Sequence, residues 1–290
     1  MILSVVIITY NEEANIGCTL ASVQALVADG KGEIIVVDSG STDRTVEIAK
    51  SFGTKVFIEE WKGFAAQKNS AIDKATGDWI LSLDADEEVS SELQAEIDEL
   101  LSLQAGKLLH KFSVQGAWDA WIERNPDLTV TYEDERTAEL AGAEIPRKNF
   151  FMGRWIRRGG FYPDRKLRFF KRGSAEFENR RVHEDAHTVG FTVALRGVLL
   201  HHSYPTLADY LDHMNRYSSL GAEMAAAKGF RGFSLFNIVV RPMATFIYNY
   251  VIRLGFLDGR EGLLLHLYHA VYVSWKYAKA WELSRSKKST

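Results

Sequence analysis

Residues 79–88 read Trp-Ile-Leu-Ser-Leu-Asp-Ala-Asp-Glu-Glu, a short apolar run that leads directly into four acidic side chains. The run is typical of a buried strand, and a strand that ends there places Asp84 and Asp86 at the rim of a sheet. Hard divalent cations such as Mg²⁺ and Mn²⁺ prefer oxygen ligands, usually one or two carboxylates together with substrate phosphates. The stretch therefore predicts a site for a metal-bound nucleoside diphosphate.

The chain before this stretch alternates between strand and helix patterns. Strands are predicted at residues 4–10, 33–38, 55–58 and 79–83, and helices at 16–26, 45–52 and 65–75. This rhythm predicts βαβ crossovers and a parallel sheet, whose ligands bind outside the carboxyl ends of the strands. Residues 9–12, Asp38 and Asp86 fall at those ends. We therefore expect them to line one crevice.

The later chain changes character. Residues 105–143 mix aromatic and acidic side chains without a clear period, and residues 150–187 are aromatic, basic and rich in glycine, which predicts short strands and loops. Helices are predicted at 207–227, 233–254 and 262–283, and the last two are strongly apolar and aromatic. The sequence thus predicts an α/β protein with a helical C-terminal extension.

Composition limits the class of protein. The chain has 290 residues, of which 46% are hydrophobic and 25% charged, and its formal net charge is -3. These values are ordinary for a globular protein and give no overall basic field for nucleic acid. Residues 145–181 nevertheless contain twelve Lys or Arg against three acids. That patch predicts an anionic partner.

Cysteine usage and the N-terminus predict a cytoplasmic protein. Cys18 is the single cysteine, which excludes an internal disulfide framework and a cysteine-based zinc site. The chain enters its first strand at once, without a charged leader and apolar segment. No uninterrupted apolar run reaches about 18 residues, so a spanning helix is not predicted.

Two other nucleotide-binding sites are excluded by their missing turns. A dinucleotide site needs a glycine-rich turn after the first strand, but Tyr10-Asn11-Glu12-Glu13 stands there instead. A Walker loop is also absent from the sequence. Phosphate contacts must then come from a metal ion and from side chains.

Five successive motifs in the first ninety residues resemble those of family-2 inverting glycosyltransferases with the GT-A fold. They are VVIITYNE (5–12), IVVDSGSTD (35–43), GFAAQKN (63–69), GDW (77–79) and LDAD (83–86). The resemblance implies a Rossmann-like mixed sheet flanked by helices. It also implies a nucleotide-sugar pocket formed by Thr9, Tyr10, Glu12, Asp38, Ser39, Lys68 and Asp84. Asp38 would bind the base, Lys68 and Asp84 would lie by the ribose and diphosphate, and Asp86 would bind Mg²⁺ or Mn²⁺.

Five later motifs are similar to those of bacterial lipopolysaccharide inner-core β-glucosyltransferases and their relatives. They are RGGFYPD (158–164), KLRFF (166–170), RVHE (181–184), HHSY (201–204) and GFLDG (255–259). The similarity implies transfer of glucose from a UDP-sugar to a lipid-linked or core-oligosaccharide acceptor at the cytoplasmic face of the inner membrane. Residues 108–144 depart from this subgroup, because they are longer and more acidic than its pattern.

The RVHE motif supplies candidates for the catalytic base. An inverting transfer needs a base that takes the acceptor's hydroxyl proton and a cation that stabilises the leaving diphosphate. We favour Glu184 as the base and place Asp185 second, against the alternative that Glu184 forms a surface ion pair with Arg180 or Arg181. His183 is a candidate metal ligand or hydrogen-bond donor, with a structural role as the alternative.

The basic patch and the C-terminal helices concern the acceptor side. Arginines suit bidentate phosphate recognition, and Arg158 and Arg165 are the predicted acceptor residues, unless this patch is only a solvated surface. The apolar C-terminal helices leave three alternatives open: packing on the catalytic domain, contact within an oligomer, or peripheral contact with a membrane. We expect a catalytic domain over 1–204, with a nucleotide-sugar half (1–104) and an acceptor half (105–204), and an extension over 205–290.

Two other functions stay open at this point. One is a related transferase that acts on another glycan or on a peptide, which only the acceptor region would distinguish. The other is a nucleotide-sugar-binding subunit without turnover.

Overall fold

The structure is a computed structural model that describes residues 2–109, 130–132, 140–178, 186–188, 190–230 and 232–286. The chain divides into two compact units, which we call the sheet unit and the helical unit. The sheet unit comprises Met1–Arg147, Arg165–Arg180 and Glu184–His201. The helical unit comprises Lys148–Asp164, Arg181–His183 and His202–Thr290. The expected domain boundary between residues 204 and 205 stays a prediction.

The described strands and helices follow in chain order. The strands are β1 (Leu3–Thr9), β2 (Gly32–Asp38), β3 (Lys55–Ile58), β4 (Trp79–Asp84), β5 (Glu87–Val89), β6 (Val130–Tyr132), β7 (Leu140–Phe151), β8 (Arg154–Trp155), β9 (Asp164–Lys171), β10 (Ala175–Phe177), β11 (Ala186–Thr188), β12 (Phe191–Ala194) and β13 (Leu199–Tyr204). The α-helices are α1 (Ile16–Val27), α2 (Thr45–Ser51), α3 (Phe64–Asp73), α4 (Ser91–Leu109), α5 (Leu207–Ala227), α6 (Arg241–Phe246) and α7 (Gly259–Ser286). Short 3₁₀ turns cover Ala28–Gly30 and Gly255–Asp258, and π-helical turns cover Phe236–Val240 and Ile247–Ile252.

The first four strands form the predicted parallel sheet in the order β3-β2-β1-β4. The sheet becomes mixed beyond β4, because β9 pairs with β4 in the antiparallel sense. The chain lays down β1, β2 and β3 in one direction and then places β4 on the other side of β1. Such a reversal opens a crevice at the carboxyl ends of the strands on either side of it. The mixed α/β sheet and the helical C-terminal region that the resemblance implied are therefore confirmed.

Helices pack on both faces of the sheet, and every residue of β1 is therefore buried. Leu3, Val5 and Ile7 belong to one apolar core, which includes buried side chains of α1 and α4. Val6 and Ile8 point to the opposite face and join a second core that includes buried alanines of α3. This alternation follows from the two-residue period of a strand and explains why β1 reads as a continuous apolar run.

The helical unit has its own apolar core, formed by buried side chains that include Phe151, Ile156, Tyr210 and Leu265. Predicted helix 207–227 is confirmed as α5, and predicted helix 262–283 lies within the longer α7. Predicted helix 233–254 is a composite, because π-helical turns flank α6 on both sides. Among the described residues, no helix is both long and apolar enough to cross a membrane.

Glu33 ties the start of the parallel sheet together. Its carboxylate accepts hydrogen bonds from the Ser4 hydroxyl at 2.7 Å and the Thr76 backbone N–H at 2.7 Å, and it pairs with Lys55 at 2.6 Å. Burial by itself raises the pKa of Glu33, but Lys55 and the hydrogen bonds outweigh it and lower the pKa to about 2. The ionised carboxylate therefore stabilises the folded sheet.

We predict that Glu33→Gln lowers the free energy of unfolding at neutral pH by about 2 kcal/mol. The folded pKa is lower than the ordinary Glu value of 4.5. The stabilisation is therefore present above that value and is lost as the pH falls toward about 2. Urea unfolding of the wild type and the variant at pH 7 and pH 3 measures the difference, which should shrink at pH 3.

Glu47→Gln is the matched control, since Glu47 pairs with Arg44 at 3.1 Å while both side chains are about 70% exposed. Exposed pairs contribute little, so its unfolding curve should stay close to that of the wild type. Equal curves for Glu33→Gln and Glu47→Gln would contradict the role of Glu33.

Candidate functional site

The carboxyl ends of β1, β2 and β4 lie side by side. The register pairs Thr9 with Asp38 and Ile8 with Asp84. The backbone of three predicted pocket residues thus meets at one edge of the sheet. This juxtaposition is set by strand pairing, since each residue ends its own strand.

Asp84 at the end of β4 is held by two cations. Its carboxylate lies 2.9 Å from Lys68 Nζ on α3 and 2.5 Å from Arg168 Nη2 on β9. Both cationic residues are buried, with exposed fractions of 3% for Lys68 and 4% for Arg168. Burial alone raises the pKa of Asp84, but the charges of Arg168 and Lys68 hold it far below its usual range. Asp84 is therefore an ionised, structurally engaged carboxylate.

Glu87 extends this network at the start of β5. It is fully buried, and its Oε1 lies 3.0 Å from Arg168 Nη2 and 3.2 Å from Arg147 Nη1. Its Oε2 accepts a hydrogen bond from the Asp84 backbone N–H at 3.0 Å. Burial by itself lowers the pKa of Arg168, but Asp84 and Glu87 raise it above its usual range. We call Lys68, Asp84, Glu87, Arg147 and Arg168 the ion cluster.

The ion cluster corrects one expectation from the sequence. Arg168 was counted in the basic patch of residues 145–181, which was expected to meet an anionic partner or solvent. Its guanidinium is instead buried and paired with two carboxylates of this chain. The local charge count could not separate Arg168 from its neighbours, because its pairing partners lie more than eighty positions earlier in the sequence.

Asp86 lies between the anchored residues 84 and 87 and pairs with His201. Its Oδ2 is 3.3 Å from His201 Nε2, and the two side chains keep about a fifth of their surface exposed. The backbone between Asp84 and Asp86 is held by α1, because the Thr19 hydroxyl donates a hydrogen bond to the Ala85 carbonyl at 2.7 Å. His201 reaches Asp86 because β13 pairs antiparallel with β5, with His201 opposite Glu87.

Asp86 and His201 each shift the pKa of the other. Burial lowers the pKa of His201, yet the Asp86 carboxylate outweighs it, so the pKa of His201 is raised. Burial alone would raise the pKa of Asp86, but the charge of His201 outweighs this effect, so the pKa of Asp86 is lowered. His201 was not among the predicted site residues. The available signal was its place in the HHSY motif at a strand end, but the pairing of β13 with β5 is a long-range contact that no local pattern shows.

Glu12 adds to the negative charge of this edge. Asn15 donates a hydrogen bond to its carboxylate at 2.7 Å, and its backbone N–H donates to Thr45 Oγ1 at 2.8 Å. Burial, together with repulsion from Asp86, Asp43 and Asp84, outweighs the Asn15 hydrogen bond and raises the pKa of Glu12 to about 7. The edge is therefore a region of negative potential that favours a cation.

Two hydroxyls near the strand ends are buried without a partner among the described residues, namely Thr9 Oγ1 and Ser39 Oγ. Buried polar groups are normally hydrogen-bonded, so such atoms point to a missing ligand or water.

The Asp38 carboxylate, in contrast, has hydrogen-bond partners within the chain. It is fully buried, and it accepts hydrogen bonds from the backbone N–H groups of Gly40 and Ser41 at 2.9 Å and from the Ser41 hydroxyl. Tyr10 is 56% exposed beside them.

The structure describes the two predicted acceptor residues but not the predicted catalytic residues. Arg165 is an exposed residue of the sheet unit whose Nη1 donates to the Leu195 carbonyl at 3.3 Å. Arg158 is exposed in the helical unit, where its backbone N–H donates to Asp258 at 2.8 Å. His183, Glu184 and Asp185 lie outside the described residues, so their assignments stay predictions.

The described residues can be tested against the expected metal. Within residues 2–109 and the other described segments, no group of three or more His, Cys, Asp or Glu side chains could hold an ion. A magnesium or manganese ion bound to a nucleoside diphosphate needs fewer protein ligands, because phosphate oxygens and water complete its shell. Asp86 offers an ionised oxygen at this partly exposed edge, and His201 Nε2 becomes a ligand only after it releases the proton that Asp86 stabilises. An ion that displaces this proton would fit the pair.

Comparisons with known proteins fit this site. The sequence profile of the family described as Glycosyl transferase family 2 matches residues 4–106, which include β1 to β5 and Asp86. The chain carries a glycosyl transferase family 2 domain.

Full-length relatives extend the match. The chain is 29% identical over 283 residues to an uncharacterized glycosyltransferase of Rickettsia typhi, covering 97% of this chain and 87% of the relative. It is 25% identical over 287 residues to the lipopolysaccharide core biosynthesis glycosyltransferase LpsC of Rhizobium meliloti, covering 97% and 92%. The prediction that this protein is a glycosyltransferase is confirmed.

One solved structure matches a shorter stretch. The glucosyl-3-phosphoglycerate synthase of Mycobacterium tuberculosis in complex with Mn²⁺, uridine diphosphate and phosphoglyceric acid shares 31% identity. The match covers 30% of this chain and about a third (33%) of that chain, with a TM-score of 0.28.

We predict that Arg168→Met lowers the free energy of unfolding of the glycosyltransferase by about 3 kcal/mol. The change removes the cation that Asp84 and Glu87 share and leaves buried negative charge with less compensation. Urea unfolding at pH 7 measures the loss.

Arg165→Met is the matched control on the same strand, because Arg165 is exposed and makes no ion pair in the described structure beyond its hydrogen bond to a carbonyl. Its unfolding midpoint should stay near that of the wild type. An Arg168→Met midpoint as high as that of Arg165→Met would show that the ion cluster does not stabilise the fold.

Proposed function

We propose that the protein is a metal-dependent inverting glycosyltransferase that moves glucose from a UDP-sugar to a lipid-linked or lipopolysaccharide-core acceptor. The observation that carries the donor half of this proposal is the Asp86–His201 pair at the edge formed by β1, β2 and β4. The Thr9 and Ser39 hydroxyls at the same strand ends have no hydrogen-bond partner in the part of the chain that the structure describes. Together with the Asp86–His201 pair, they suit a metal-bound nucleoside diphosphate better than a neutral ligand.

Asp86 and His201 are the proposed ligands of the divalent cation, Mg²⁺ or Mn²⁺. When bound, such an ion acts as a Lewis acid that stabilises the negative charge of a leaving diphosphate. Asp84 is not proposed as a ligand, because Lys68 and Arg168 already hold its carboxylate. His183 stays a further candidate from the sequence.

The nucleotide is proposed to lie over the ends of the parallel strands. Thr9, Tyr10 and Glu12 would line the nucleoside pocket, and Asp38 and Ser39 would meet the base. Lys68 and Asp84 would face the ribose and diphosphate. The ion cluster supports this arrangement, since it holds the Lys68 and Asp84 side chains together at the carboxyl end of β4.

The acceptor side of the proposal is supported by sequence similarity. The relative from Rhizobium meliloti acts, by its name, in lipopolysaccharide core biosynthesis, and it aligns with 97% of this chain. Arg158 and Arg165 are proposed to contact phosphate or sugar groups of an acceptor. Glu184, or Asp185 in second place, is proposed to take the proton from the acceptor hydroxyl, and the protein is proposed to work at the cytoplasmic face of the inner membrane.

The metal assignment predicts a loss of Mn²⁺-dependent donor binding in two variants. A panel of nucleotide sugars with and without Mn²⁺ is screened by thermal shift, because a ligand that binds only the folded state raises the apparent Tm. A UDP-sugar should raise the wild-type Tm most in the presence of Mn²⁺. Asp86→Asn should abolish the Mn²⁺-dependent part of this rise, and His201→Ala should reduce it.

Asp73→Asn, an exposed carboxylate on α3, serves as the control and should behave as the wild type. An undiminished Mn²⁺-dependent rise in Asp86→Asn would overturn the metal assignment. A wild-type protein that responds to no nucleotide sugar would overturn the proposed donor.

The base assignment predicts that Glu184→Gln keeps donor binding and loses turnover. Removing a general base typically costs 10²–10⁴-fold in rate, while the donor site is left intact. The measurements are the Mn²⁺-dependent thermal shift with the UDP-sugar and the rate of sugar transfer. Asp185→Asn is the comparison variant, and a fully active Glu184→Gln with an inactive Asp185→Asn would reassign the base.

A further inference from the structure

The helical unit exposes an unusual amount of apolar surface. Of the large hydrophobic side chains that are exposed in the described residues, fifteen of twenty-two lie between Phe233 and Leu267. Several are more than half exposed, such as Phe236 at 59% and Met243 at 60%. Single exposed apolar residues need no explanation, but a contiguous group of this size marks an interaction surface.

The exposed residues lie in line along the composite helix of residues 236–252. Phe236, Val240, Met243, Ile247 and Val251 recur at intervals of three or four positions, and each is exposed. Residues at this spacing share one face of a helix. We call this row the apolar stripe.

The opposite face of the same helix packs within the helical unit. Pro242 is buried, and the Ile238 carbonyl accepts a hydrogen bond from Ser274 on α7 at 2.8 Å. The Tyr250 ring lies 6.2 Å from the ring of the buried His266, also on α7. The stripe therefore lies on the face opposite to the one that packs against α7.

The charge of the segment selects the partner. Residues 224–257 contain no Asp or Glu, whereas exposed Arg241 and Arg253 occur within or just after the helix. The Arg241 guanidinium lies 5.1 Å from the centre of the Tyr277 ring, and that of Arg253 lies 5.5 Å from the centre of the Tyr248 ring. Arginines and tyrosines beside an apolar face are typical of helices that lie in the headgroup region of an anionic membrane.

A second copy of this chain fits the stripe less well. In a two-fold dimer the same patch meets itself, so a segment that has arginines and no carboxylate between residues 224 and 257 would place like charges together. An anionic lipid surface supplies the missing negative charge together with apolar chains for the stripe.

We propose that the apolar stripe docks on an anionic lipid bilayer, with its side chains inserted to the boundary between headgroups and acyl chains. This inference rests on the proposed function, because a lipid-linked acceptor gives the docking its purpose. It assigns the membrane contact to one face of one helix instead of to the whole region of residues 205–290.

Vesicle flotation of the full chain tests the proposal. The vesicles are phosphatidylglycerol–phosphatidylethanolamine mixtures, with phosphatidylcholine alone as the neutral comparison. The wild type should float with the anionic vesicles and much less with the neutral ones. The double variant Met243→Glu/Ile247→Glu should lose about tenfold or more in vesicle partitioning, because two inserted apolar groups become charged.

Ile2→Glu is the matched control, since Ile2 is 47% exposed in the sheet unit. It should float as the wild type does. Leu235→Gln/Phe236→Gln, at the other end of the composite helix, is the second variant, and far-UV circular dichroism confirms that each variant is folded. If one double variant fails to fold, the flotation of the other double variant tests the proposal.

Flotation of both folded double variants at the wild-type level would overturn the proposal. Absence of wild-type flotation would also overturn it, and a dimer-to-monomer change in the double variant by light scattering would then assign the stripe to a contact between copies. The Mn²⁺-dependent thermal shift with a UDP-sugar, measured on the same samples, separates the two proposals. Its loss with intact flotation would remove the proposed function alone, and lost flotation with an intact shift would remove the membrane surface alone.

Discussion

The ion cluster fixes the edge of the sheet at which the candidate site is built. Its five charged side chains come from α3, β4, β5, β7 and β9, and all lie within hydrogen-bonding distance of an opposite charge. Burying an unpaired carboxylate or guanidinium is costly, so none of these elements can move alone without leaving a charge uncompensated. The cluster thus converts five separate elements into one rigid support.

That support gives the two aspartates of the 84–86 stretch different roles. Asp84 is held in the ion cluster by Lys68 and Arg168, whereas Asp86, two residues later, pairs with His201 within the described part of the chain. Two chemically identical side chains are separated in function by what each one touches. Both side chains are partly exposed, at 25% for Asp84 and 20% for Asp86, so their different ion-pair partners and not their burial distinguish them.

The sequence was sufficient for the parts of the fold that depend on local pattern. The apolar runs of β1, β2 and β4 predicted a parallel sheet, and the polar residue that ends each run predicted which edge carries the site. His201 and the burial of Arg168 could not be predicted in this way, because both depend on strands that pair across more than eighty residues. Periodicity describes one element at a time, so it finds which residues end a strand but not which distant strand lies beside it. Glu184 and its neighbours stay predictions from a motif.

The composite helix shows the same limit in a different form. Its exposed residues repeat nearly every four positions, while an α-helix has 3.6 residues per turn, so a four-residue repeat drifts by about 40° at each step. A π-helical turn contains more residues than an α-helical turn, so a four-residue repeat rotates there in the opposite direction and the drift is reduced. The π-helical turns at Phe236–Val240 and Ile247–Ile252 on either side of α6 therefore keep the apolar stripe nearly straight. A pattern search at the α-helical period identifies a helix here, but the departure from that period is what aligns the exposed side chains into one surface.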